Sequence, residues 1–170
     1  EVVLPRQEEF KRFDFTGAEI EAMWHGYASE IRYTDAEIGR LLDGLSERGM
    51  LEDTVIVFVA DHGEGLSEHG LPGHGTQVWE ELHRVPLVLV HPDGPHAGTR
   101  VAGKALLRDV VPTVLDMALG VEGEGRGEER GLDLWALLET DRDLPERPVF
   151  LERPHYSEER LKRRGRRRTE

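Results

Sequence analysis

Asp61, His62, His69 and His74 place one carboxylate and three imidazoles in a single short stretch of chain. Carboxylate oxygen and imidazole nitrogen are hard and borderline metal donors, and a protonated imidazole can instead hold an anion. Glycine follows each histidine, in His62-Gly63, His69-Gly70 and His74-Gly75, so the backbone there can fold back on itself. Asp61 and Gly63 could also make a plain turn with solvated histidines around it. What favours a site is the segment in front of them.

Val55-Ile56-Val57-Phe58-Val59-Ala60 is an unbroken apolar run that stops abruptly at Asp61. β-Branched and aromatic residues without alternation are expected for a strand buried on both faces. In open α/β sheets ligands gather at the carboxyl ends of the strands. Asp61 and His62 are therefore expected at such an end, sharing one cleft with His74.

The neighbouring elements follow from periodicity. From Gly17 to Gly49 the apolar positions Ile20, Met23, Tyr27, Ile31, Ile38, Leu41, Leu42 and Leu45 recur at three- and four-residue steps. That spacing predicts one long amphipathic helix of about 48 Å at 1.5 Å per residue, with Thr16 as N-cap and Gly49 as its stop. A short helix is expected over Val78 to His83. Val85-Pro86-Leu87-Val88-Leu89-Val90 reads as a second buried strand, with Pro86 near its start where a missing N–H is tolerated. Asp109 should cap a helix with Pro112 in its first turn. Residues 122–131 read as a Gly- and Glu-rich surface loop, Leu132 to Leu138 as a short helix and Pro148 to Leu151 as a third strand. Strands alternating with helices predict a layered α/β fold.

At 170 residues the length favours one domain. Hydrophobic residues make up 38% and charged residues 33%, and no apolar run approaches the roughly 18 residues that cross a membrane. Zero cysteines exclude disulfides and thiolate chemistry within these residues. The formal charge of −12 conceals an asymmetry: residues 159–170 carry net +5, leaving −17 on residues 1–158. Such an acidic body argues against nucleic-acid binding, which needs a basic face. Residues 1–158 are read as the folded body of the chain and 159–170 as a basic, disordered tail. Without a signal segment or an initiator methionine, the compartment stays open.

Several motifs together resemble the sulfatase family of the alkaline phosphatase superfamily. They are Tyr33-x-Asp35-x-x-Ile38-Gly39-x-Leu41-Leu42, Asp53-Thr54-Val55-Ile56, Ala60-Asp61-His62-Gly63-Glu64, Glu68-His69-Gly70, Gly73-His74-Gly75, Trp79-Glu80-Glu81, Arg84-Val85-Pro86-Leu87 and Asp109-x-x-Pro112-Thr113. In order and spacing they are similar to the C-terminal half of that catalytic domain, and the resemblance implies that residues 1–158 are its C-terminal portion. The implied fold is alkaline-phosphatase-like, with helices around a mostly parallel or mixed sheet.

The resemblance implies that Asp61 and His62 ligate one divalent cation, calcium being expected and manganese or zinc left open by the imidazole. It implies that His74 contacts the ester oxygens, or protonates the leaving alkoxide, where many members carry lysine. His69 is implied to serve the loop, and Arg84, Asp35 and Asp109 to organise helix starts and strand entry. Glu64 is read as lying behind the site or on the surface. His25, His83, His91, His96 and His155 carry no motif and are read as surface.

The family's nucleophile motif, Cys/Ser-x-Pro-x-Arg, is not found in this chain. Asp143-Leu144-Pro145-Glu146-Arg147 mimics its tail, but begins with the wrong residue and follows the metal pair, and is read as coincidence. The expectation is therefore a sulfuric ester hydrolase whose N-terminal half lies outside this chain, with a small-molecule or glycan sulfate ester as substrate. A phosphatase, phosphodiesterase or phosphonate hydrolase of the same superfamily, or a non-catalytic relic of the fold, are the alternatives. Alone, the chain is expected to be inactive.

Overall fold

The computed structural model describes residues 14–75, 77–94, 96–120, 131–140 and 142–152. Most of the 122–131 loop, the 159–170 tail and His155 lie outside these residues. Helix α1 (Gly17–Glu47) leads through a 3₁₀ turn at Leu51–Asp53 into strand β1 (Ile56–Val59). A small hairpin of β2 (Gly65–Leu66) and β3 (Pro72–Gly73) follows, then α2 (Glu80–His83) and β4 (Leu87–Val90). A second 3₁₀ turn at Leu107–Asp109 opens α3 (Val110–Leu119), and α4 (Leu134–Glu139) closes the order. Helix and sheet interleave, and the class is α/β.

The start of α1 is built as its residues dictate. The Thr16 hydroxyl accepts from Glu19 N, and the Glu19 carboxylate reaches back to Thr16 N at 2.8 Å. This reciprocal cap satisfies two of the helix's free donors, and hydrogen bonding to Thr16 holds the Glu19 carboxyl below its ordinary value. At the other end Gly49 takes a φ of +64°, a left-handed step that ends the helix at little cost. The long helix is thus as its spacing predicts, yet it buries no residue.

β1 pairs with β4 in antiparallel register, Ile56 opposite Val90 and Val59 opposite Leu87. Antiparallel pairing puts the end of β1 beside the start of β4 and sends His91 to the opposite end of the pair. β1 is not buried on both faces as its composition predicts: Phe58 and Val59 are exposed. Among the described residues β4 is its only ladder partner, so the other edge of β1 carries no strand here. The expected strand at Pro148–Leu151 does not form, and Phe150 is 89% exposed. A strand needs a ladder to satisfy its N–H and C=O groups, and no described strand lies beside it. α2 is shorter than the predicted Val78–His83 helix, with Trp79 extended at its N-cap.

The packed core lies between α3 and α4, where Met117, Leu134 and Trp135 are buried. Asp109, expected as an N-cap, has a different task. Its side chain makes no cap to α3; it accepts from Leu106 N at 2.7 Å and Leu132 N at 2.8 Å, and pairs with Arg147. Asp109 is 0% exposed and Arg147 is buried with it. Arg147 also donates to Lys104 O at 3.0 Å. Thr113 continues the network, its hydroxyl donating to Asp109 O and accepting from Leu134 N. Gly131 is forced by this packing: a Cβ there would lie 2.2 Å from Arg108 O.

His91 is not a surface residue. Its Nε2 donates to Met117 O at 3.2 Å, its Nδ1 accepts from Asp93 N, and its ring stacks on Trp135. His96 meets the same indole edge-on.

Asp133 caps α4 through one carboxylate oxygen, which accepts from Trp135 N and Ala136 N. Its other oxygen is buried without a partner, as is Oδ2 of Asp116 on α3. Burial holds the Asp133 carboxyl above its ordinary value, with the neighbouring Asp116 adding to the rise and the two amides opposing it. A group raised in the folded state stabilises most below its unfolded pKa, and that stability is lost as pH rises through the folded value. Asp133→Asn keeps the cap and removes the charge. It should therefore raise the Tm by a few degrees at neutral pH and by less near pH 4. Thermal unfolding at the two pH values checks this; a lower Tm for the variant at neutral pH would show the charge to be stabilising.

Candidate functional site

Asp61 and His62 lie just past the end of β1, where the apolar run predicts them. Asp61 Oδ1 accepts from His62 N at 2.9 Å, and Asp61 Oδ2 stands 3.8 Å from His62 Nε2. His62 Nδ1 lies 2.8 Å from Gly63 O. A carbonyl oxygen only accepts, so Nδ1 carries the proton and the neutral ring keeps its lone pair on Nε2. A hydrogen bond from the far ring nitrogen is how metal-bound histidines are commonly oriented.

The backbone behind them is tightly held. Gly63 N donates to Leu82 O at 2.9 Å, and a Cβ on Gly63 would lie 1.9 Å from Glu81 O. Only glycine allows that approach, which locks the loop after His62 onto α2 and the buried Leu82.

The β2–β3 hairpin returns the chain to the same place. His74 follows β3, and its ring centroid lies 4.0 Å from that of His62. Asp61, His62 and His74 thus come together as the sequence predicts. Asp61 also borders an open cleft of about 1680 Å³, whose walls include Val88, Lys104 and Trp135 but neither His62 nor His74. Asp61 and His62 are themselves exposed.

His69 is held apart from this group. Its Nε2 lies 3.1 Å from Glu81 Oε1 and its ring packs on Trp79 at 4.1 Å. Glu68 serves the loop as well, accepting from Leu66 N at 2.6 Å. Arg84 pairs with Glu80 on the surface at 3.0 Å.

As cation donors, Asp61 Oδ2 and His62 Nε2 fit: they stand 3.8 Å apart, and the bond from Nδ1 to Gly63 O leaves the Nε2 lone pair free. Among the described residues no group of three or more His, Asp or Glu is arranged to hold a metal ion. The chain therefore presents two donors of a cation site. One oxygen and one nitrogen suit calcium less exclusively than an all-oxygen set would, and admit manganese or zinc.

Two residues of this region were given no role by sequence reasoning. Glu81, quoted only as part of Trp79-Glu80-Glu81, pairs with His69, and the following Leu82 anchors Gly63, but no local pattern there points back to residues 63–69. Only the fold brings them there.

The sulfatase family model matches residues 5–121. Choline-sulfatase of Rhizobium meliloti is 36% identical over 110 residues, covering 65% of this chain and 21% of that protein. Solved structures align with the chain as well, among them these two. One is a protein in complex with its substrate D-glucosamine-2-N,6-O-disulfate, with 35% identity, a TM-score of 0.56 and coverage of 68% of this chain and 22% of that one. The other is the phosphonate monoester hydrolase of Silicibacter pomeroyi, with 32% identity, a TM-score of 0.54 and coverage of 65% and 21%. The chain spans about a fifth of the length of each. Their folds are alkaline-phosphatase-like, and the α/β arrangement here agrees with them. With the family model covering well over half of its residues, this chain belongs to the sulfatase family.

Proposed function

We propose that the chain supplies the metal-binding, C-terminal portion of a sulfuric ester hydrolase. The observation that carries this reading is the Asp61–His62 pair, two donors with free lone pairs at the end of β1, in a chain of the sulfatase family. Asp61 Oδ2 and His62 Nε2 would hold one divalent cation, with calcium proposed first and manganese or zinc as alternatives. When bound, that cation supplies Lewis-acid polarisation of an ester oxygen and neutralises charge on the transferred group.

The other roles belong to the chain itself. His62 is kept in the Nδ1–H tautomer by Gly63 O. His74, beside it, is placed to donate a hydrogen bond to a sulfuryl oxygen or to protonate the leaving alkoxide. The nucleophile is assigned to a preceding N-terminal half, since no Cys/Ser-x-Pro-x-Arg motif occurs in these residues. The substrate class is a small-molecule or glycan sulfate ester, supported by the sulfated glucosamine bound to the similar solved protein.

A second reading, phosphonate ester hydrolysis, is favoured by the likeness to the phosphonate monoester hydrolase. Elemental analysis and parallel assays of the longer protein with an aryl sulfate and an aryl phosphonate separate the two. One calcium per chain and preference for the sulfate are expected; two zinc ions and preference for the phosphonate overturn the first reading. The 170-residue chain alone should turn over neither ester with calcium, manganese or zinc added. Metal-dependent turnover by the purified chain, lost in Asp61→Ala, would overturn the assignment of the nucleophile to another segment.

A further inference from the structure

The chemistry above leaves one polar side chain of the site unused. β2 and β3 pair Gly65 with Gly73 and Leu66 with Pro72. The next step along that ladder sets Glu64 opposite His74, and residues so placed are side-chain neighbours. Glu64 Oε2 lies 3.0 Å from His74 Nδ1. Glu64 Oε1 is buried without a partner, in a space that a Cβ on Gly73 would approach to 3.8 Å. Gly73 itself has a φ of +93°, which steers the backbone into His74 as few other residues could.

An ionised carboxylate only accepts hydrogen bonds, so His74 Nδ1 carries the proton in this pair. His74 Nε2 has no protein partner among the described residues. The hairpin therefore does more than close a loop: it fixes which ring nitrogen is free. We propose that Glu64 is the positioning residue for His74, holding the ring through Nδ1–H so that Nε2, when it carries the ring's second proton, is the donor presented to an ester seated beside Asp61 and His62. The assignment of an ester to that place rests on the function proposed above; the tautomer and the orientation rest on the hairpin alone.

The test begins with the 170-residue chain labelled with ¹⁵N-histidine. Two-bond ¹H–¹⁵N spectra at alkaline pH, where the ring is neutral, report the tautomer of His74. The wild-type chain and Glu64→Gln, whose amide oxygen can still accept, should show the Nδ1–H form. Glu64→Leu should revert to the Nε2–H form that unrestrained histidine favours. A wild-type ring in the Nε2–H form overturns the proposal without recourse to any variant, as does Glu64→Leu with the Nδ1–H form retained.

The second arm uses the longer enzyme and an aryl sulfate. Glu64→Leu should lower kcat about 10- to 100-fold, the range typical of lost orienting partners, with Glu64→Gln restoring most of it and KM little changed. Adding Glu64→Leu to His74→Ala should cost nothing further. If Asp61→Asn is inactive while Glu64→Leu is fully active, the positioning role falls and the site reading stands. If Asp61→Asn is itself fully active, the site reading falls and takes the ester beside His74 with it.

Discussion

Replacing Arg147 with methionine should destabilise the chain by roughly 3–5 kcal/mol, the cost of stripping one partner from a buried ion pair. Asp109 is 0% exposed and cannot turn to water when the guanidinium is removed. Its two oxygens also receive Leu106 N and Leu132 N, so rotating the carboxylate away would orphan those amides. The damage should therefore spread from residues 104–109 to the start of α4. Urea unfolding followed by circular dichroism measures the effect. Asp109→Asn combined with Arg147→Met should recover part of the loss, because no charge is left buried, although the single amide oxygen can accept from only one of Leu106 N and Leu132 N. A loss below about 1 kcal/mol for Arg147→Met alone would mean that the pair is hydrated in solution.

Asp61→Asn or His62→Ala should abolish ester hydrolysis by the longer protein while leaving its unfolding midpoint nearly unchanged. Lewis-acid stabilisation amounts to several kcal/mol, and each ~1.4 kcal/mol is a factor of ten in rate. A fall of about a thousandfold or more in kcat/KM is therefore expected. Stability should be spared because Asp61 is exposed and the β1–β4 ladder runs through backbone atoms of Ile56 to Val59. Parallel assays with an aryl sulfate and metal titration of each variant check both halves. Wild-type rates in either variant would show that the cation is held elsewhere.

The local parts of this architecture were legible because local chemistry determines them. Thr16, Glu19 and Gly49 bound α1 through contacts three or four residues apart. The apolar run to Ala60 places β1, and its abrupt end places Asp61 and His62. What was hidden depends on distant partners. Arg147, flanked by Pro145, Glu146 and Pro148, looks like a surface cation until Asp109, thirty-eight positions earlier, is folded against it. His91 carries no motif because its partners, Met117 O and the Trp135 ring, come from α3 and α4. Pro148 to Leu151 has the composition of a strand, yet composition supplies no ladder. The Glu64–His74 pair was half visible: both residues stand in the motif region, but their opposition follows from the register of the hairpin.

α1 is the longest element of the chain and contributes no buried side chain. Its amides are tied mainly to one another, whereas those around Asp109, Thr113 and Leu134 are tied across the core. Helices of this kind open turn by turn from their ends, and such local opening does not wait for the molecule to unfold. The chain therefore has two separate clocks for solvent exchange. Deuterium enters α1 by fraying, at a pace set by helix propensity, and enters the α3–α4 core only through cooperative unfolding.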